Sequence, residues 1–384
     1  MPSFVRLACT TSFTLLAFLC TGIALAIVPS WVHNDLGYSA TLTGFAVGVQ
    51  YLATLFSRPL AGRLADSGVK RAVGLGLYGI LASGLFALCA AFVDNPLLAL
   101  LALIVSRLLL GVAQGVLGVA VNIWGIAEHG AQQTARVISW NGIAAYGGIA
   151  IGAPLGLLLH QAFGNAALGM ALLATACGAL LGLRALRGPS AVKGKSLSFT
   201  AALKQVLPYG VILALASIGF GTLSAFITLF FAEQHWRHAA YCLSAFGAAF
   251  VVARILFVWT IKRFGGLNAA LVCLLIEVLG LVLLAVASTP QMAIVGAALT
   301  GFGLSLIYPA LGVVALAKVD ASGRGSALGA YGVFFDVALG LAGPLMGLIA
   351  SFSGYRSIFI VAAALCATGL VLSIWLKGRT GAQQ

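Results

Sequence analysis

Twelve long apolar stretches, a charge content too low for a water-soluble globule and a repeat between the two halves predict an all-α membrane protein. The expected architecture is twelve transmembrane helices in two pseudo-symmetric six-helix bundles. Of 384 residues, 61% are hydrophobic and 8% charged; a soluble domain carries about 25% charge. Such a chain lacks the polar surface for a globule in water. The same composition excludes a disordered chain.

A helix crosses the hydrocarbon core with about 20 mostly apolar residues. The first run, 6–29, is longer than a signal-peptide apolar region, so it reads as a retained helix. Runs 40–62 and 71–93 flank a basic turn, and 97–121, 137–163 and 165–186 complete a first bundle over 1–186. A polar, basic segment, 187–207, is the one long connection and reads as a cytoplasmic linker. Runs 208–232, 240–261, 266–288, 291–317, 325–351 and 354–376 form the second bundle, 208–384, with a short tail. None alternates apolar and polar residues as a barrel strand does.

The basic residues fix the orientation. With the N-terminus inside, 17 of the 21 Lys and Arg fall on the cytoplasmic side, and only Arg237 and Arg356 lie outside. That asymmetry is the positive-inside pattern, so both termini are expected in the cytoplasm. It also accounts for the net charge of +13 as a matter of topology and anionic lipid, not of nucleic acid. The seven cysteines sit mostly inside apolar runs without CxxC spacing, and the five histidines form no HExxH. No metal site, disulfide frame or organic cofactor is expected.

The halves repeat. Arg58 and Arg254 close the second run of each half, 196 residues apart, and Pro154 and Pro344 lie 190 apart in YGGIAIGAPLG and DVALGLAGPLMG. Repeated bundles of this kind build transporters with a midplane site. Gly148, Gly152 and Gly156 fall on one helical stripe, as do Gly343 and Gly347. Such stripes let helix backbones approach closely, either at a sliding interface between halves or in plain tight packing.

These residues carry a family resemblance. The turn Gly62-Arg63-Leu64-Ala65-Asp66-Ser67-Gly68-Val69-Lys70-Arg71 resembles motif A of the major facilitator superfamily. Arg107 with Gly111 and Gly115 is similar to its motif B, and Gly148-x3-Gly152-x-Pro154 to motif C of proton-driven exporters. VPSWVHNDLGYS, SWNGIAAYGG and ALTGFGLSLIYPALGV resemble the bacterial YfcJ/YhhS branch of sugar-efflux-like permeases. The resemblance covers the whole chain.

The resemblance implies a conformational latch, in which Asp66, amid Arg63, Lys70 and Arg71, faces a helix start whose free N–H groups favour an anion. The family's usual Arg after that Asp is Ser67 here, and Lys262 stands at the second-half equivalent of Asp66. It also implies that Arg107 binds an anionic group or tunes a proton site. An acidic residue is usual in this branch a turn or two beyond that arginine; Gln114 stands there instead.

Ionisable groups within membrane spans are costly and mark function. Arg107, Arg254, Glu277 and Asp336 are such groups. Arg254, Glu277 and Asp336 lie at comparable depth. The resemblance, in which the ninth crossing is peripheral and the eleventh borders the region between the halves, implies an Arg254–Glu277 ion pair and leaves Asp336 as the first proton carrier and Glu277 as the second. Gln50, Gln114, Asn141, Tyr146 and Tyr308 join Arg107 as candidate substrate contacts.

The combined reading is a proton-coupled exporter of a small drug, sugar or metal-chelating metabolite, working by alternating access as a monomer among lipids. An importer of a sugar or small organic solute, proton-independent or symporting, is the alternative. A non-transporting receptor or scaffold is a third. With no Ser/His/Asp set, no HExxH and no P-loop, an enzyme is not expected.

Overall fold

The computed structural model describes residues 3–130, 133–186, 188, 199–317 and 324–381. Among them all regular structure is helical. The chain divides into two compact units, Met1–Lys193 and Gly194–Gln384, a division that falls within the segment read as a linker.

The first unit holds α1 (Ser3–Ser30), a π-helical turn (Trp31–Asp35), α2 (Ala40–Ser67), α3 (Val69–Ala91), α4 (Pro96–His129), α5 (Thr134–Phe163) and α6 (Ala166–Ala185). The second holds α7 (Phe199–Glu233), α8 (Ala240–Phe257), α9 (Trp259–Phe264), α10 (Gly266–Ala285), α11 (Pro290–Leu316) and α12 (Arg324–Gly381). Eleven of these helices are long and apolar enough to cross a membrane. One of them, α12, is broken at Gly354, whose φ of 76° and ψ of 170° are not helical. That conformation suits glycine, and it divides α12 into the two crossings expected at 325–351 and 354–376.

Two local departures have local causes. The first crossing does not stop at Pro29: α1 runs through it into the π turn, where the widened register lets Leu36 N–H reach the Trp31 carbonyl at 3.0 Å. The eighth run is interrupted at Val258, giving the short α9. There Trp259 Nε1 and Thr260 Oγ1 donate to the carbonyls of Leu256 and Phe257 at 2.8 and 2.6 Å, satisfying the end of α8 from its own successors.

The helix starts reinforce the repeat. Asn95 Oδ1 accepts from Leu97 and Leu98 N–H at 2.9 and 3.2 Å ahead of Pro96 in α4. Thr289 Oγ1 accepts from Met292 N–H at 3.3 Å ahead of Pro290 in α11. A polar cap followed by proline at the first helical position is a strong start signal, used here at corresponding places in the two halves.

Packing within the units relies on missing side chains. In the first unit α1 lies on α5, α2 and α3 lie on α4, and α3 lies on α6. The helix 5 glycines face α1: a Cβ at Gly148 would lie 2.8 Å from Leu19 N, one at Gly152 3.1 Å from Gly22 Cα, and one at Gly156 2.8 Å from Ile23 Cα. This corrects the sliding-interface reading for that stripe, which is used inside its own bundle. In the second unit α7 lies on α12, α10 and α8 lie on α11, and α10 also touches α12.

The outward surface is apolar. Phe56 is 78% exposed and Phe352 82%, with many leucines and valines between these extremes. Backbone polar groups are satisfied inside the helices, so such faces are suited to acyl chains. Together these features describe a multi-pass membrane protein.

Candidate functional site

In the first unit three helices meet at a polar seam. Thr21 of α1, Gln50 of α2 and Gln114 of α4 are all buried. Gln50 Nε2 donates to Gln114 Oε1 at 2.5 Å and to Thr21 Oγ1 at 3.3 Å. Gln114 Nε2 donates to Thr21 Oγ1 and, at 3.5 Å, to the Ala17 carbonyl. Glycines make this approach possible. A Cβ at Gly111 would meet the Gln50 carbonyl and lie 2.8 Å from Ala53 Cβ, and Gly115 sits against Thr54 and Ser57. Thr54 Oγ1 adds a bond to the Gly111 carbonyl at 2.9 Å.

Arg107 lies one turn before Gly111 and two before Gln114, on the same face of α4 by its i, i+4, i+7 spacing. Its side chain is fully buried. None of its three side-chain nitrogens has a hydrogen-bond partner among the described residues, and its electrostatic neighbour is Tyr51 of α2. Thus the seam joins two expected contacts, Gln50 and Gln114, with Thr21, which sequence reasoning missed. Its signal was a hydroxyl in an otherwise apolar run, a weak one because helical Thr so often bonds its own backbone.

Asn141 of α5 is buried with Oδ1 unpartnered, and Tyr146 is half-buried on the same helix. Three of the hydroxyls on α7 turn back to their own helix: Ser217 to Leu213 O at 2.6 Å, Thr222 to Ile218 O at 2.8 Å and Ser224 to Gly221 O at 3.0 Å. They have no free donor to offer a solute.

In the second unit Asp336 is buried on α12 at 3% exposure and has an interaction partner. The same stretch of α12 meets Tyr308 of α11. Tyr331 Oη donates to the Tyr308 carbonyl at 3.3 Å, their rings lie 5.0 Å apart, and Phe335 lies edge-on to Tyr308 at 6.4 Å. Tyr308 and the segment carrying Asp336 are therefore brought together.

Arg254 and Glu277 are not. Arg254 Nη2 donates to the Ser305 carbonyl of α11 and its guanidinium lies 4.8 Å over the Phe250 ring. Glu277 of α10 is fully buried, and neither carboxylate oxygen has a hydrogen-bond partner among the described residues. Its polar neighbour is the Cys366 thiol of α12, and Gly219 of α7 leaves it room: a Cβ there would lie 3.0 Å from Oε1. The expected ion pair is thus corrected, and the reason is α11. Its residues 301 and 305 face α8, where Ser305 Oγ donates to Phe250 O at 2.7 Å. Its residues 296, 300 and 303 face α10, where a Cβ at Gly303 would lie 2.6 Å from Glu277 N. One helix stands between the two charges.

At the basic turn, Gly68 adopts φ 146° and joins α2 to α3. Lys70 Nζ donates to the carbonyls of Leu186 at 2.5 Å and Arg184 at 3.5 Å, so it caps the C-terminal end of α6. Arg71 is exposed. Gly62 lies in α2, and the side chains of Arg63 and Asp66 lie outside the described ones. Pro154 and Pro344 sit inside α5 and α12.

Among the described residues no group of three His, Cys, Asp or Glu could hold a metal ion. A groove of about 220 Å³ on the second unit, lined by residues such as Val211, Leu215, Ile218, Phe334, Leu341 and Leu365, is wholly apolar. It offers nothing to orient a polar solute.

Comparison with known proteins places this geometry. A family model described as Major Facilitator Superfamily matches residues 10–241 and 211–384. An uncharacterized MFS-type transporter of Burkholderia pseudomallei is 46% identical over 377 residues, covering 98% of this chain and 93% of that protein. Another, of Pseudomonas aeruginosa, is 48% identical over 379 residues, covering 98% and 94%. Among solved structures, the human organic anion transporter MFSD10 superposes with a TM-score of 0.70 at 18% identity over 97% of this chain and 100% of that one. The nucleoside transporter NupG gives 0.73 at 14% identity over 96% and 99%, and the E. coli fucose:proton symporter FucP 0.66 at 16% over 98% and 99%.

Proposed function

The chain belongs to the Major Facilitator Superfamily and is a secondary transporter rather than an enzyme, and we propose that it exports a small solute against an inward flow of protons. The observation that supports this reading best is Asp336, a carboxyl buried in an apolar span where a group kept at such cost is usually used. It lies on the α12 stretch that packs on Tyr308. In the proposed cycle Asp336 takes a proton from the outside and releases it to the cytoplasm. The two bundles rock about a midplane site, exposing it to each side in turn. On the solute side the cycle uses the seam of Gln50, Gln114 and Arg107, with Asn141, Tyr146 and Tyr308 as further contacts. Glu277, without a counter-charge, is the second proton-binding group.

The remaining parts follow the family pattern. Asp66 acts as a latch that holds the cytoplasmic side closed while the outer side is open. Both termini face the cytoplasm of a bacterial inner membrane, the protein works as a monomer, and it falls in the sugar-efflux-like branch. The test is solute movement in proteoliposomes with and without an imposed pH gradient, over a panel of sugars, cationic drugs and metal chelators. Flux that requires an opposing proton gradient supports antiport. Flux in the same direction as the protons supports the symport importer; proton symport is the activity named for one solved structure of similar fold. Flux indifferent to the gradient removes proton coupling.

A further inference from the structure

The most unusual group in the first unit is Arg107. A guanidinium carries five N–H donors and keeps its charge in proteins. Here it is wholly enclosed, and its Nε, Nη1 and Nη2 have no acceptor among the described residues. Among the described side chains, the carboxylates of that unit are used elsewhere or lie at its edges: Asp35 accepts from Asn165 Nδ2 at 2.8 Å, and Glu128 from Trp124 Nε1 at 2.8 Å. Asp94 precedes the start of α4. An unpaired buried charge is strongly destabilising, so the chain retains at this point a cost that nothing within the seam offsets.

The seat of this arginine is closely packed. One turn along α4, Gly111 closes the helix onto the Gln50 backbone. Two turns along, Gln114 ties it to α1 and α2 through Thr21 and Gln50. A planar fork on a fixed backbone matches the two oxygens of a carboxylate, and one guanidinium balances one negative charge. We propose that the transported solute is a small organic monoanion whose carboxylate docks on Arg107. The proposal rests on the transport reading above and names its substrate class. Because Arg107 is enclosed, α4 and its neighbours must part for the anion to reach it, which is what an alternating-access cycle supplies.

The test uses the full-length protein in proteoliposomes, with radiolabelled lactate and gluconate set against their neutral counterparts lactamide and glucitol, under pH gradients of either sign. The expected result is movement of at least one acid and not of its neutral counterpart. Arg107→Gln should lower that flux by about 100-fold or more and Arg107→Lys by less, since lysine keeps the charge and loses the fork. Thermal unfolding in detergent separates this from misfolding. The transported acid should raise the midpoint of the wild type and not of Arg107→Gln. Without the acid Arg107→Gln should be at least as stable as wild type, because it removes a stranded charge. Equal movement of acid and neutral counterpart, undiminished flux in Arg107→Gln, or movement of sugars and cationic drugs but of neither acid would each overturn the anion assignment and leave transport standing. No flux of any solute in the wild type would remove the transport reading as well.

Discussion

Gly111→Ala isolates the contact on which the polar seam depends. A single methyl group there would collide with the backbone carbonyl of Gln50, lying 2.9 Å from its carbon and 2.8 Å from Ala53 Cβ. These are backbone and a short side chain, so neither can swing aside, and α4 must move off α2. Overpacking of that kind costs about 1–3 kcal/mol. Against it stands the gain of replacing a mid-helix glycine by alanine, about 1 kcal/mol. The net expectation is a loss of about 0–2 kcal/mol. Gly118, two turns further along α4, is the internal control: a Cβ there meets nothing within 4 Å, so Gly118→Ala should gain about 0.5–1 kcal/mol. The assay is thermal unfolding of the purified protein in detergent, followed by tryptophan fluorescence, with solute flux measured alongside. Gly111→Ala should be the less stable of the two and should also lose flux, because separating α2 from α4 pulls Gln50 from Gln114. Equal stability for both variants would refute the argument that the seam is held shut by the absence of that side chain.

Three further outcomes are expected. In a double-mutant cycle, Arg254→Met and Glu277→Gln should be additive within about 0.5 kcal/mol, since α11 separates them; a larger coupling would mean that the two charges meet. Lys70→Ala should destabilise by about 0.5–1 kcal/mol through loss of the α6 cap, seen as faster amide exchange at Arg184–Leu186 and not in α4. Asp66→Asn should shift the resting population toward the inward-open state; single cysteines placed on the two faces and labelled from each side would report this, and labelling identical to wild type would count against the latch.

The crossings were legible because the length and hydropathy of a run report directly on its ability to span a membrane. Even the break inside α12 was, since the runs on either side of Gly354 each span a membrane. Azimuth was not legible. Arg254 and Glu277 read as lying at similar depth, and that together with the family resemblance suggested a pair; which face of α11 each one met depends on packing that a linear pattern does not encode. The glycine stripe of α5 is a similar case. Its spacing announced a close approach, yet the partner, α1, could be found only in the fold. Gln50 and Gln114 stood out as amides in apolar runs, but Thr21, which binds both, looked like any helical threonine. Arg107 was visible as an intramembrane charge, while its lack of an acceptor emerged only from the packed unit.

The most direct test of the account compares wild type with Asp336→Asn in proteoliposomes, measuring solute flux as the imposed pH gradient is varied. The account predicts wild-type flux that rises with an opposing proton gradient, and an Asp336→Asn variant that unfolds at a similar temperature yet no longer responds to that gradient. An unaltered response in the variant would contradict it, taking Asp336 out of the proton path.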